Sequence, residues 1–424
     1  MMSPQPATHT RSLADWLLVL DELNVAHIEL GLARMQVVAS RLGLLSLPSH
    51  VITVGGTNGK GTTCALIEAM LSAGGISVGV YSSPHLVDYR ERVRINGDSP
   101  STTQFCAAFA AVAAARVSAD GAPTALTYFE FTTLAALWLF REAAPQVVLL
   151  EVGLGGRLDA TNVVASDQTV VTTVSLDHTD WLGEERESVG FEKAGIFKAK
   201  KPAVCGDAIP PRSLVAHAAS MNTPLYCNGR DYHWQVKGAS WSFNGLGLEL
   251  RDLPLPLLPV MNAATALATL ALSPFNLNEQ VIHQGLRAAQ LTGRLQQLSP
   301  QLWLDVAHNP ESAQYLASQI PRLRQGGRLL AVVGMLKDKD IEHTLSALSE
   351  LFDSWYLASL PGPRGASAAE LAQWQSGACF DSVIDALAGA EHAAQADDVI
   401  VVFGSFFTVA DVLAARSVIT HPTF

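Results

Sequence analysis

The chain has 424 residues, too many for one typical hydrophobic core, and its 49% apolar and 16% charged residues describe a packed globular protein, not a disordered or fibrous one. A net charge of −11 excludes the broad basic footprint that nucleic-acid binding needs and leaves anionic small molecules open wherever basic residues gather locally. Five scattered cysteines (64, 106, 205, 227 and 379) without a CxxC pair fit free thiols, the opening MMSPQPATHT lacks a signal peptide's basic start and apolar stretch, and no segment approaches 18 uninterrupted apolar residues, so a soluble cytoplasmic protein without nucleic-acid or membrane partners is expected.

Ser12 is placed to cap a helix whose apolar positions are Leu13, Trp16, Leu17, Leu20 and Leu23, and a second helix is expected from near Leu32 to Leu42, stopped by Gly43. The β-branched run 51–54 reads as a buried strand, followed by a Gly-rich turn and a helical stretch ending at Gly74 and Gly75. A strand at 77–82, helices at 102–117 and 127–143, and apolar strands at 146–152 and 168–176 complete a doubly wound parallel α/β pattern. Residues 232–254 read as a small antiparallel insertion before a helix that contains Asn262. Around 291–300 the pattern resets, and strands at 302–307, 328–334 and 399–405 predict a second, smaller Rossmann-like α/β domain. The expected domains are 1–295 and 296–424.

The strongest chemical signal is VITVGGTNGKGTTCALIEAML, in which a strand enters a glycine-rich turn and a helix starts at or just after Lys60. Gly55, Gly56, Gly59 and Gly61 let backbone N–H groups approach an anion, the helix N-terminus adds a favourable dipole, and Lys60 supplies a point charge. Thr62 or Thr63 offers a hydroxyl for phosphate or Mg²⁺. The spacing departs from the usual P-loop, because Val54 stands six residues before Lys60 and Gly61 separates Lys60 from Thr62.

Ser83, Glu151 and His178 each lie at or just past the end of an expected strand, and in an open parallel sheet those ends face one crevice. Hydroxyl, carboxylate and imidazole suit a divalent cation that also holds phosphates. Taken singly, Glu151 reads equally well as an ion-paired loop residue, His178 as a capping or surface residue and Ser83 as a turn residue; Asp177 and Asp180 compete for the metal. Lys193 lies on an expected helix, where an isolated lysine is usually solvated. No Ser-His-Asp or Cys-His set stands out, and GLGGR (153–157) is not a nucleophile elbow.

GTNGKGTT, YSSPHLVDYRERVRING, LEVGLGGRLDATN, SLDHTDWLG, FEKAGIFK and DVAHNP, in that order, resemble the folylpolyglutamate synthase/dihydrofolate synthase family of the wider Mur ligase group, and in particular its bacterial bifunctional members. The resemblance implies an ATP-dependent ligase of folate biosynthesis that joins L-glutamate to dihydropteroate and to reduced folates through an acyl phosphate. It implies ATP contacts at Thr57, Asn58, Gly59, Lys60, Gly61, Thr62, Asn262, Arg294 and Asp305. Mg²⁺ falls to Ser83, Glu151 and His178, with room for a monovalent cation. Lys193 matches the lysine that carries a carbamate in this group, an anionic oxygen ligand made from a cation. Asp305 is placed to meet ribose hydroxyls, His308 phosphate or glutamate, and Arg294 the phosphates. Arg294 reads otherwise as a linker charge and Asp305 as a helix cap.

Three segments match the family's pteroate contacts: Glu29, Leu30 and Gly31; Thr127, Tyr128, Phe129 and Glu130; and Leu158, Asp159 and Ala160. Glu29 stands where close relatives carry Asp. Phe129 suits stacking on a flat ring, although Phe129 and Tyr128 read equally as core aromatics. A monomer acting on small molecules is expected. Two rivals remain at this level: a ligase for UDP-muramoyl peptides, disfavoured by Gly61 directly after Lys60 and by the pteroate-like segments, and a non-enzymatic nucleotide switch, which would not need Glu151, His178 and Lys193.

Overall fold

The computed structural model describes residues 11–23, 31–118, 121–177, 179–324 and 326–420. The chain forms two compact units. One runs to His85 and continues over Tyr89–Pro256 and Val260–Ala289; the other holds Leu86–Asp88, Leu257–Pro259 and the chain from Gln290 onward.

In the first unit α1 (Leu13–Leu23) and α2 (Ala33–Arg41) precede β1 (His50–Gly55), α3 (Lys60–Ala73), β2 (Val78–Tyr81) and β3 (Val93–Ile95). Then come α4 (Thr102–Ala115), α5 (Tyr128–Ala143), β4 (Val147–Glu151), β5 (Gln168–Val171), α6 (Thr179–Leu182) and α7 (Arg186–Ala194). β6 (Ala203–Cys205), α8 (Arg212–Ser220) and β7 (Leu225–Cys227) complete a seven-stranded sheet in the order β3-β2-β4-β1-β5-β6-β7, parallel except for β3. The crossover helices cover both faces, so β1 and β4 read as continuous apolar runs. Trp16, Met35, Phe105, Phe109, Phe131 and Phe140 fill the core under α1, α2, α4 and α5. β8 (Tyr232–Lys237), β9 (Ser240–Gly245) and β10 (Leu248–Pro254) are the antiparallel insertion, and α9 (Val260–Ala271) and α10 (Glu279–Ala288) pack on α3.

The second unit is a six-stranded sheet in the order β11-β12-β16-β13-β14-β15. Its strands are β11 (Gln296–Ser299), β12 (Leu302–Leu304), β13 (Leu329–Val333), β14 (Ser354–Ala358), β15 (Ala378–Phe380) and β16 (Val399–Phe403). Only β11 runs antiparallel. Its helices are α11 (Pro310–Leu323), α12 (Ile341–Ser346), α13 (Ala368–Leu371), α14 (Val383–Ala393) and α15 (Phe406–Thr420), with a separate apolar core on each face of the sheet.

The mixed α/β class, the parallel sheets and the antiparallel insertion match the sequence reading. Two strand expectations ran furthest past the observed ends. The run expected at 168–176 stops at Val171, because Thr172 and Thr173 turn their polar groups toward the Gly-rich loop instead of a sheet neighbour. The strand expected at 302–307 stops at Leu304, where Asp305 begins to cap its own turn. Short strands such as β3, β6 and β15, three residues each, carried too little periodicity to be read.

Candidate active site

The glycine-rich loop joins β1 to α3. Gly56 adopts φ +143°, and a Cβ there would stand 1.8 Å from the Thr172 hydroxyl. Gly59 is the N-cap of α3 at φ +82°, and a Cβ there would meet the Asn262 amide at 2.2 Å. Only glycine meets both demands. The N-cap Gly59 offers no side-chain hydrogen bond to α3, whose N-terminal dipole points into the loop.

Side chains from β5's extension clamp this loop. The Thr172 hydroxyl donates to the Asn58 carbonyl at 2.6 Å, and the Thr173 hydroxyl accepts from the Asn58 N–H at 3.2 Å. The Thr57 hydroxyl donates to the Ser175 carbonyl and accepts from the Ser175 N–H, both at 3.0 Å. From α9, the buried Asn262 amide donates to Thr63 Oγ1 at 3.1 Å and to the Gly59 carbonyl at 3.4 Å. Lys60 Nζ donates to the Gly56 and Thr57 carbonyls at 3.0 Å each, so its charge lies over the loop. Thr62 is buried in the first turn of α3, beside Gly61.

Glu151 ends β4 and is 6% exposed; its Oε2 accepts the Ser83 N–H at 3.3 Å. Ser83 and Glu151 therefore meet at the sheet's C-terminal edge, as the strand-end argument expected. Behind them Arg94 on β3 donates to Glu68 on α3 at 2.7 Å, and its charge also acts on Glu151. His178 lies outside the described residues, and among those described no three His, Cys, Asp or Glu side chains gather as a metal cluster. A buried carboxylate beside a hydroxyl fits a hard cation whose remaining ligands are phosphate oxygens and water.

Lys193 on α7 is 3% exposed. Burial first, then the nearby Lys60 charge, lower its ammonium to about 7, against the pull of Asp177. An amine in that state is substantially neutral near pH 7 and thus nucleophilic, unlike a solvated lysine. α7 is tied to the loop after β4: the Arg157 N–H donates to the Glu192 carbonyl at 2.8 Å, and Asn162 donates to the Gly195 carbonyl at 3.0 Å while accepting from Lys198 at 2.7 Å.

That loop holds Leu158, Asp159 and Ala160. Asp159 is buried; Oδ2 accepts from the Gly153 and Leu154 N–H groups at 3.0 Å, and Oδ1 from the Thr161 N–H and hydroxyl at 2.9 and 2.6 Å. Burial raises its carboxyl, with the four donors opposing. Thr127 is the N-cap of α5 and closes a reciprocal capping box with Glu130. Phe129 stands 6.0 Å from Tyr81, ring to ring, and Tyr128 lies edge-on to Tyr89 under the Arg92 guanidinium. Gly31 lies two residues before α2, whose N-cap is Leu32; Glu29 and Leu30 lie outside the described residues.

In the second unit Asp305 follows β12 and is 7% exposed, accepting from the Leu295 and Ala307 N–H groups at 2.8 Å each. Burial raises its carboxyl, and the Arg294 charge is the largest opposing influence. Arg294 lies over the Phe406 ring at 5.6 Å, and the His308 ring is 5.9 Å from the same phenyl. His308 Nδ1 is 2.8 Å from the Val306 carbonyl. Arg294 and His308 therefore meet at Phe406, and Asp305 lies within reach of the Arg294 charge.

Residues 293–406 match the family described as Mur ligase, glutamate ligase domain. The chain is 48% identical to the dihydrofolate synthase/folylpolyglutamate synthase of Escherichia coli (strain K12) over 414 residues, 97% of this chain and 96% of that protein. The chain belongs to the dihydrofolate synthase/folylpolyglutamate synthase family. Among solved members of that family, the E. coli FolC structure in complex with DHPP and ADP aligns with a TM-score of 0.92 at 48% identity, covering 99% of this chain and 100% of that one. A bifunctional folylpolyglutamate synthase/dihydrofolate synthase with Mn, AMPPNP and L-glutamate bound aligns at 0.89 and 49%, covering 98% and 100%. Among the described residues of this family member no helix is long and apolar enough to cross a membrane.

Sequence reasoning missed the residues that hold the candidate site in shape: Thr172, Thr173, Arg94 with Glu68, and Asn162. The paired threonines after an apolar strand were a usable signal, since hydroxyls at a strand end have no ladder partner. Arg94 gave none, because Glu68 is 26 residues away, and nothing local pointed from Asn162 to Gly195 and Lys198.

Proposed function

We propose that this chain ligates L-glutamate to dihydropteroate and to folylpolyglutamates, using ATP and a divalent cation. The ATP γ-phosphoryl group passes to the acceptor carboxylate, the glutamate amine attacks the acyl phosphate, and phosphate leaves as the amide forms. Residues 57–62 wrap the phosphates, and Lys60 offsets charge on the transferred phosphoryl group. Mg²⁺ would be held by Ser83, Glu151 and His178, where it would supply positive charge against the phosphate oxygens. The neutral fraction of Lys193 takes up CO₂ with loss of a proton, which turns a buried amine into an anionic carbamate.

Asn262 supports the loop, and Arg294, Asp305 and His308 are assigned to ATP and glutamate. Gly31 with Glu29 and Leu30, Thr127–Glu130 and Leu158–Ala160 form the acceptor side. The protein acts in the cytoplasm as a monomer on small molecules, without nucleic acid or membrane.

The reading is carried by the full-length match to a relative whose name states both activities. Glutamate incorporation with each acceptor, on one preparation, tests it. Folate activity without dihydropteroate activity would leave a plain polyglutamate synthase.

A further inference from the structure

Arg34 and Glu130 form an ion pair between α2 and α5. Glu130 lies in the first turn of α5 and is 5% exposed. Both of its carboxylate oxygens stand 3.0 Å from Nε of Arg34, which belongs to α2, 96 residues earlier. Oε2 also accepts the Thr127 N–H at 2.7 Å, while the Thr127 hydroxyl accepts the Glu130 N–H at 3.2 Å. The carboxylate is thus engaged by a capping box and a guanidinium together, so it shapes its surroundings instead of reaching for a ligand.

Its surroundings are the acceptor segments. Phe129, one residue earlier, has its carbonyl bound by the Thr132 and Thr133 hydroxyls at 3.1 and 2.7 Å. Its ring lies so close to the next loop that a Cβ on Gly153 would come within 2.7 Å of it. The Gly153 N–H in turn holds Asp159. Arg34 sits in the first turn of α2, three residues after Gly31. One ion pair therefore joins the chain leaving Gly31 to Thr127–Phe129, and through Phe129 to the Gly153–Asp159 loop.

We propose that Arg34 is a positioning residue for the dihydropteroate acceptor, holding Thr127–Phe129 in register with the segments at Gly31 and Asp159 through Glu130. This rests on the reading of those segments as pterin contacts. A folate acceptor offers its carboxylate one glutamate further from the pterin, so with a shared reaction centre its pterin cannot lie in the same place. Displacing Thr127–Phe129 then weakens one acceptor and spares the other.

The test compares Arg34→Met, Arg34→Lys and Phe129→Ala with wild type, measuring KM and kcat for dihydropteroate and for a monoglutamyl reduced folate on single preparations. Arg34→Met should raise KM for dihydropteroate about tenfold while changing KM for the folate and for ATP by no more than about twofold. Arg34→Lys, which keeps the charge, should recover part of the loss. A merely structural role would lower the active fraction for both acceptors equally and leave their ratio unchanged. If Phe129→Ala shifts that ratio and neither Arg34 variant does, the proposal is wrong while the parent reading stands. If none of the three shifts it, the parent reading fails and takes the proposal with it. Should Arg34→Met not fold, Glu130→Gln carries the same comparison, because it keeps the size and an acceptor for Thr127 while removing the charge.

Discussion

Replacing Lys193 by methionine should make the protein more stable and inactive at once. The folded state lowers the Lys193 ammonium from 10.5 to about 7, so folding disfavours its charged form by about 3.5 × 1.36, or roughly 5 kcal/mol. Below pH 7 the amine is protonated in both states and that whole cost is present. Between pH 7 and 10.5 the unfolded chain binds more protons than the folded one, so stability rises with pH and the cost fades. It amounts to about 4 kcal/mol at pH 7 and about 1 kcal/mol at pH 9.5. Methionine keeps the length and removes the charge, and its extra packing gain is the same at both pH values. Denaturant unfolding of both proteins in CO₂-depleted buffer should therefore show a stability advantage for Lys193→Met that shrinks by about 3 kcal/mol from pH 7 to pH 9.5. A pH-independent advantage, or none at pH 7, would refute the argument that burial beside Lys60 holds this amine near neutrality. The same variant should have no ligase activity, as expected of a site that keeps a costly group for its chemistry.

Lys60→Ala should lower kcat/KM at least about a hundredfold in an ADP-release assay while the protein stays folded, because it removes the ammonium that lies over the Gly56 and Thr57 carbonyls. Near wild-type turnover would remove Lys60 from the phosphate site. Glu151→Gln keeps the shape and the acceptor for the Ser83 N–H but loses the charge, so a Mg²⁺ titration should show a raised half-saturation with only partial recovery at excess metal; an unchanged titration would move the metal to Asp177. Lys193→Ala should be inactive and regain measurable turnover with formate or acetate, small carboxylates that replace the carbamate; a fully active Lys193→Ala would end the carbamate reading. Thr172→Val should raise KM for ATP several-fold with little change in either acceptor's KM, since its hydroxyl bonds the Asn58 carbonyl; equal effects on all substrates would speak against a role confined to the loop.

The glycine-rich loop was legible because its physics is local. A strand, four glycines and a lysine at a helix start define an anion cradle within a dozen residues, and α3 begins at Lys60 as the sequence reads. The Ser83–Glu151 meeting was also legible, since strand ends of a parallel sheet converge and both residues follow apolar runs. The capping pair Thr127 and Glu130 carries the T-x-x-E pattern of a helix start. What periodicity could not supply was the extent of β5, because the threonines that end it look like good strand residues and are diverted only by a loop more than a hundred residues away.

How the candidate side chains are held in place was decided by the tertiary structure alone. Glu130 and Asp159 carry no partner in the local sequence pattern beyond their own turns, and the fold adds Arg34 to one and the Gly153–Leu154 N–H groups to the other. Asn262 reaches the loop from 203 residues away, a distance over which sequence pattern carries no information. The state of Lys193 is the sharpest case. On a helix read in isolation it is one more solvated charge, and its ammonium is disfavoured only because the assembled fold buries it and the Lys60 charge lies near. Sequence determined which groups are present and how each segment starts and stops, since those follow from backbone sterics and short-range hydrogen bonds. Desolvation and long-range pairing exist only once distant segments have packed, and they set what those groups can do.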